Sequence, residues 1–298
     1  MNKIKLDLIG DPLIDYWNTG EKIVVSLGGA GNVEQNVISL LNDNFFQDNK
    51  IDFSTGFSTP WVYGDKYDNT GLDCGEPELY PAKLYLLNLE NDGWECLSAP
   101  GHPLDCSKSP KSKFWNNENL NDYSKSILIV SDYNKGFVSS HLSSLVENKT
   151  YDICIVDSRY GNTDFNLLRE HSECLIYRRT KRTDADSKFD WDFKIETDGD
   201  NPVVLFNHNN EDLITVPVLY QDTPESTCGA GDVFTATIAS YIASYYSRYF
   251  EEKFEIIENS DSLLTIKELL TEGIFLAQLA CEESIKTPYT CSVTNIKI

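Results

Sequence analysis

The stretch STCGAGDVF, residues 226–234, decides how this chain is read. Gly229, Ala230 and Gly231 stand in a row, Asp232 closes them, and an apolar helical run begins at once. A Gly-Ala-Gly turn that opens a helix leaves several backbone N–H groups unpaired and pointing one way. The helix dipole adds positive potential at the same spot, which makes an anion site. Glycine tolerates positive φ and lets a ligand approach the backbone. Asp232 falls in the first helical turn beside that site. There a carboxylate can take a proton from a hydroxyl while the amides steady a transferring phosphoryl group. The same residues also suit a plain tight turn with Asp232 as N-cap, so the chemistry needs support from elsewhere in the chain.

Composition narrows the classes. The 298 residues carry 25 Lys and Arg against 47 Asp and Glu, a net charge of −22. Such a chain repels nucleic acid and anionic membrane, so neither is expected as a partner. An anionic substrate then needs a local basic or backbone-donor site. The 8 cysteines are scattered; none forms C-x-x-C and no histidine sits at zinc-ligand spacing, so no protein-built metal site is expected. The start, MNKIKLDLIGD, lacks a secretory apolar region, and no apolar run approaches the ~18 residues that span a bilayer. A cytoplasmic protein with reduced thiols is expected.

Along the chain, IKLDLIG (4–10) and EKIVVSL (21–27) read as strands, as do KIDFSTGF (50–57) and AKLYLLNL (82–89). Residues 58–81 and 98–124 are rich in turn formers and read as loops. From 127 the alternation is cleaner. Strands ILIVSD (127–132) and ICIVDS (153–158) are followed by helices from Ser139 or Ser140 and near 163–171. CLIY (174–177) and VVLF (203–206) continue the pattern, and residues 232–247 and 265–286 make two long helices. Near-continuous apolar strands separated by helices predict an α/β fold with a mainly parallel sheet covered on both faces. Ligands of such sheets bind beyond the carboxyl ends of the strands.

A second glycine-rich strand-to-helix turn, LGGAGNVEQN (27–36), lies some two hundred residues before the first. It is neither a dinucleotide fingerprint nor a Walker A loop, because Glu34 stands where the former has its third glycine and no Gly-Lys-Ser/Thr follows. An early G-G-A-G-N together with a late T-C-G-A-G-D resembles the two signatures of the ribokinase-like (PfkB) carbohydrate kinases. The wording of LGGAGNV, SDYNKGFVS (131–139) and VDSRYGNTDF (156–165) is most similar to the bacterial heptose-phosphate kinase branch.

The resemblance implies a single ribokinase-like domain over residues 1–298, with a small β-sheet lid from strands at about 12–27 and 82–97. In that family such lids often pair between subunits, so a homodimer through the lid is implied. Asp232 matches the catalytic base, and Gly229, Ala230 and Gly231 match its anion hole. Gly28, Gly29 and Asn32 match the turn that contacts the sugar, with Asn36 one helical turn on. An aspartate after the first strand binds sugar hydroxyls, and Asp11 and Asp15 are the candidates. Lys135 matches a position near the substrate. ATP and Mg²⁺ are the implied cofactors. The implied activity is phosphoryl transfer to a sugar or sugar-phosphate hydroxyl, first choice the anomeric hydroxyl of a heptose 7-phosphate. The basic run YRRTKR (177–182) follows the strand at 174–177, so Arg178 and Arg179 are candidate phosphate contacts; a solvated loop balancing Asp184, Asp186 and Asp190 fits equally.

Three departures concern the nucleotide half. Ser226 stands where relatives usually have Asp. The N-x-x-E motif expected after residues 174–177 is missing. The T-x-G-x-x-G-like turn is replaced by VVLFNHNNEDLITV, in which Asn209-Asn210 can make the turn. A ribokinase-fold pseudokinase or sugar-phosphate-binding protein with a degraded nucleotide site therefore stands as the alternative.

Overall fold

The computed structural model describes residues 3–20, 23–42, 46, 50–57, 82–88, 93–98, 106–107, 109, 111, 120–158, 163–171, 175–181, 190–218, 224–253, 262–286 and 289–293. Most of the loops read at 58–81 and 98–124 lie outside the described residues. The chain runs β1 (Ile4–Gly10), β2 (Pro12–Asn18), β3 (Ile23–Gly29), α1 (Ala30–Asn42), β4 (Ile51–Thr55), β5 (Ala82–Asn88) and β6 (Gly93–Ser98). It continues β7 (Lys125–Asp132), α2 (Phe137–Val146), β8 (Ile153–Ser158), α3 (Asn166–His171), β9 (Leu175–Lys181) and β10 (Phe193–Asp198). Last come β11 (Asn201–Asn207), β12 (Asp212–Val216), α4 (Ala230–Lys253) and α5 (Ser262–Ser284).

Eight strands form one sheet in the order β12-β11-β10-β9-β8-β7-β1-β4. The run from β4 to β10 is parallel throughout. Ile127, Leu128, Ile129 and Val130 in β7 are all fully buried. Successive strand residues face opposite sides, so burial of all four requires cover on both faces. α4 packs on α1 and α5 and lies against β1, β4, β7 and β8, while α2 packs on α3, β1 and β7. The core between sheet and helices is built from Val33, Val37, Leu142, Val233, Ile242 and Ile274, among others.

A second, four-stranded sheet has the order β3-β2-β5-β6. It is built from the residues expected to cover a ligand. β2 leaves β1 after Asp11 alone, so this sheet springs from the carboxyl end of the central strands.

Two local expectations change. The strand around 203–206 does not continue the parallel pattern: β11 is antiparallel to β10, and β12 to β11. Only Gly199 and Asp200 separate β10 from β11, and two residues can make a hairpin but not a crossover. β9 runs to Lys181, so Arg178 and Arg179 lie inside a strand rather than in the loop after it; their main chains pair with Val156 and Asp157 of β8.

β1 also carries two fully buried charges, Lys5 and Asp7. Lys5 Nζ lies 3.9 Å from Asp7 Oδ1 and donates to Ser54 Oγ at 2.8 Å. Lys149 Nζ lies 3.6 Å from Asp7 Oδ2, which also accepts from the Tyr151 hydroxyl at 2.8 Å. These residues precede Gly10, the ligand-side end of β1, by one to two pleats.

Candidate active site

The carboxyl ends of β1 and β7, the start of α1 and the start of α4 converge. Asp11 follows β1. Its Oδ2 accepts from the main-chain N–H of Tyr133 at 2.8 Å and of Lys135 at 2.9 Å, and its Oδ1 from that of Phe137 at 2.9 Å. One carboxylate thus gathers the amides of the loop between β7 and α2. Burial still outweighs these donors and, with the nearby Asp132 charge, holds the Asp11 carboxyl up at about 6. Lys135 meets Asp11 through its backbone, and its side chain is half-exposed. The observed partners of Asp11 are main-chain amides.

Asp15, in β2, is 2% exposed. Its Oδ2 accepts from the Thr290 hydroxyl at 3.0 Å, and its Oδ1 has no hydrogen-bond partner among the described residues. Such an oxygen is costly unless something else donates to it. Burial raises the carboxyl to about 6 and Asp232 adds to the shift, against the lowering effect of Lys83 and Thr290. Gly28, which ends β3 with Gly29, lies flat against this carboxylate: a Cβ on Gly28 would sit 2.7 Å from both Asp15 oxygens. Gly28→Ala is expected to push the carboxylate aside. It should weaken binding of a carbohydrate ligand by about tenfold to a hundredfold and leave nucleotide-induced thermal stabilisation unchanged, both measurable by titration.

The folded pKa of Asp15 lies above its unfolded value of 3.8. Its contribution to stability is therefore complete below pH about 3.8 and lost as pH rises through about 6. The ligand-free protein should gain melting temperature when buffer is lowered from pH 7 to 5, and Asp15→Asn should flatten that slope. An equal slope in the variant would show that Asp15 is not the group responsible.

Asp232 stands in the first turn of α4, 2% exposed. Its Oδ2 accepts from Asn32 Nδ2 at 3.1 Å and its Oδ1 from the Tyr133 hydroxyl at 2.5 Å. The glycine turn before it is built as its sequence suggests. Gly229 has φ of 84° and contacts Asn32 and Thr290 so closely that a Cβ there would lie 2.6 Å from Asn32 Nδ2. The amides of Ala230 and Asp232 close local bonds to the carbonyls of Thr227 and Gly229. Those of Gly229 and Gly231 make none among the described residues. These two donors at the head of a 24-residue helix suit a phosphate.

Asn32 and Asn36 lie one turn apart on α1, both buried. Within the protein, Asn36 Nδ2 donates to the Asn32 carbonyl at 2.8 Å and to Asn32 Oδ1 at 3.1 Å, and its Oδ1 accepts from the Val293 N–H at 2.7 Å. These bonds give Asn36 an internal role in the corner between α1 and the 289–293 segment.

Two contributors escaped the sequence reading. The first is the segment 289–293 after α5. Thr290 bonds Asp15, the Cys291 carbonyl accepts from Asn32 Nδ2 at 3.2 Å, and the Cys291 N–H donates to the Cys228 carbonyl at 2.7 Å. Burial pushes the Cys291 thiol up to about 11. Thr290 also meets Ser26 Oγ at 2.7 Å and the Trp17 indole N–H at 3.1 Å, tying the small sheet to the same corner. The second is Lys83, opposite Asp15 in the β2–β5 register, with its ammonium 4.9 Å from the Tyr133 ring centroid. Its only sequence signal is a lone lysine in an apolar run.

On the side assigned to the nucleotide, Asn210 takes the left-handed turn with φ of 60°. The hairpin tip is held by Asn207, whose Oδ1 accepts from the N–H groups of Asn209 and Glu211 at 3.0 Å each. Ser226 Oγ accepts from the Cys228 N–H at 3.2 Å, a local turn bond that an aspartate can also make. Among the described residues no three or more His, Cys, Asp or Glu side chains are grouped to hold a metal ion. No helix among them is long and apolar enough to cross a membrane.

No protein-family model and no curated protein matches the sequence. Solved structures do match the fold. Ribokinase from Arabidopsis thaliana, complexed with ribose and ATP, superimposes with a TM-score of 0.52 at 11% identity, over 97% of this chain and 95% of that one. Fructokinase from Vibrio cholerae O395, bound to fructose, ADP and calcium, gives 0.51 at 12% identity over 98% and 94%. Aminoimidazole riboside kinase from Salmonella enterica, with its riboside and an ATP analogue, gives 0.50 at 14% identity over 98% and 96%. The chain has the ribokinase fold.

Proposed function

We propose that this chain is an ATP-dependent carbohydrate kinase that phosphorylates a hydroxyl of a sugar or sugar phosphate. The observation that carries the reading is Asp232: a buried carboxylate oriented by Asn32 and Tyr133, beside the amides of Gly229 and Gly231, which bond no other main-chain group among the described residues. ATP, when bound, supplies the phosphoryl group and departs as ADP. Asp232 accepts the proton of the substrate hydroxyl as its oxygen bonds to phosphorus. The amides of Gly229 and Gly231, with Ala230 between them, hold the charge that builds on the transferring group. Asp15 Oδ1 accepts from a second substrate hydroxyl, and Gly28, Gly29 and Asn32 bring the α1 turn against the sugar. Mg²⁺ has no three-ligand protein cage among the described residues, so it would enter with the phosphates, and no step is assigned to it.

On this reading residues 1–298 form one ribokinase-like unit, with the β2-β3-β5-β6 sheet as a lid that pairs in a homodimer. The cytoplasm is its compartment. The heptose-branch wording of the sequence supports a heptose 7-phosphate, phosphorylated at the anomeric position, as the finer substrate. Lys135, Arg178 and Arg179 are then the cations to test against its phosphate. The structures that share the fold were solved with ribose, fructose or a riboside together with adenine nucleotides, which suits a polyhydroxylated acceptor. The deciding experiment is release of ADP from Mg-ATP across a panel of free sugars, nucleosides and sugar phosphates. One class should support turnover. No turnover with any of them, together with no thermal stabilisation by any nucleotide, would replace this reading with a binding protein. The closed Asn207 turn and the missing N-x-x-E favour that second reading.

A further inference from the structure

The polar groups behind Asp232 form a chain whose direction is fixed at every end. The Val293 N–H can only donate, so Asn36 receives it through Oδ1 and turns Nδ2 toward Asn32. The Asn32 carbonyl can only accept, and it holds the same Nδ2 at 2.8 Å. Asn32 Oδ1 is thereby committed as an acceptor, which leaves its Nδ2 to face the Cys291 carbonyl and Asp232 Oδ2. No amide in the chain can be reversed without placing two acceptors against each other.

We propose that Asn36 is a positioning residue for Asp232: through Asn32 it joins the main chain of the 289–293 segment to the base and locks an N–H donor on Asp232 Oδ2. This rests on Asp232 as the base. The locked donor keeps the carboxylate in one rotamer. It also ties base geometry to Asp15, since the neighbouring Thr290 bonds that carboxylate. Among the described residues the ionisable groups that bear on Asp232 include Tyr133 from the loop after β7, Asp15 from β2 and Cys291 from the C-terminal segment, with the Lys83 ammonium of β5 4.9 Å from the Tyr133 ring centroid.

The test follows the Asp232 carboxyl directly, by ¹³C NMR of Asp-labelled protein, with the Asp232→Asn variant giving the assignment. Loss of a donor to a carboxylate raises its pKa. Asn32→Leu and Asn36→Leu should each move the Asp232 titration up by about one unit, and the double variant should move it no further than Asn32→Leu alone. The acid limb of the kcat profile should shift by the same amount. A merely structural Asn36 would lower the melting temperature and leave the titration in place, which overturns the proposal. So would a shift in the double variant equal to the sum of the two singles. If the leucine variants do not fold, the side-chain NH₂ signals of Asn36 are compared between wild type and Asp232→Asn. A change in them supports the relay, and identical signals overturn it. Absence of transfer by the wild type with every acceptor would sink the kinase reading without touching the titration. An unmoved titration with normal transfer would sink the relay alone.

Discussion

Asp232→Asn is expected, if the proposed kinase function holds, to reduce phosphoryl transfer by a factor of about 10²–10⁴, the usual contribution of a positioned general base, while the melting temperature changes little. The side chain keeps its shape. An asparagine at this position can offer its oxygen to Asn32 Nδ2 and turn its own NH₂ toward the Tyr133 hydroxyl, which can accept as readily as it donates. Folding and nucleotide binding therefore survive, while the only change at the reacting hydroxyl is the loss of a proton acceptor. The signature is a fall in kcat with the carbohydrate KM within a few-fold of wild type. A variant with wild-type kcat would remove Asp232 from the chemistry and leave the glycine turn as a phosphate cradle alone.

The second large effect is on stability, at the other end of β1. Asp7→Leu removes the carboxylate that both Lys5 and Lys149 approach. Taking one partner from a buried ion pair costs about 3–5 kcal/mol, because the remaining charge has been desolvated without compensation. For a chain of this size that is roughly a 5–8 °C loss in melting temperature. Lys5 keeps Asp52 Oδ2 at 3.4 Å and Ser54 Oγ at 2.8 Å. The double variant Asp7→Leu/Lys149→Met should then recover much of the loss, since an apolar replacement of a whole buried pair is often neutral. A single variant as stable as wild type, or a double variant worse than the sum of its parts, would show that the pair holds nothing together.

Much of the frame was legible from short stretches. β7 and β8 were readable from unbroken apolar runs, which only a sheet covered on both faces can use, and β1 from apolar residues alternating with Lys5 and Asp7. The starts of α1 and α4 were readable from glycines that precede helical periodicity. Asn210 was readable as a turn former because asparagine tolerates positive φ, and it adopts φ of 60°. Misreadings fell where local signal is weak. VVLF at 203–206 is apolar enough for a parallel strand, and its direction is set by the two-residue Gly199-Asp200 turn before it. The strand at 174–177 was cut short because arginines look like loop; β9 keeps them within the sheet.

The sequence by itself determined that Gly229 must bend where no side chain fits and that Asp232 must follow in the first turn of a helix. Those are properties of adjacent residues, governed by φ, ψ and hydrogen bonding within one turn. Only the tertiary structure decided what surrounds that carboxylate. Asn32 comes from 200 positions away and Tyr133 from 99. Thr290 reaches Asp15 across 275 and Val293 reaches Asn36 across 257. It also decided that Asp11 is taken up by the amides of residues 133, 135 and 137, and that Lys83 lies over the Tyr133 ring. Contacts at such separations leave no period or spacing in the chain. They exist because burying the core brings the strand ends and the C-terminal segment to one corner, where each desolvated polar group must find the partner that the fold delivers.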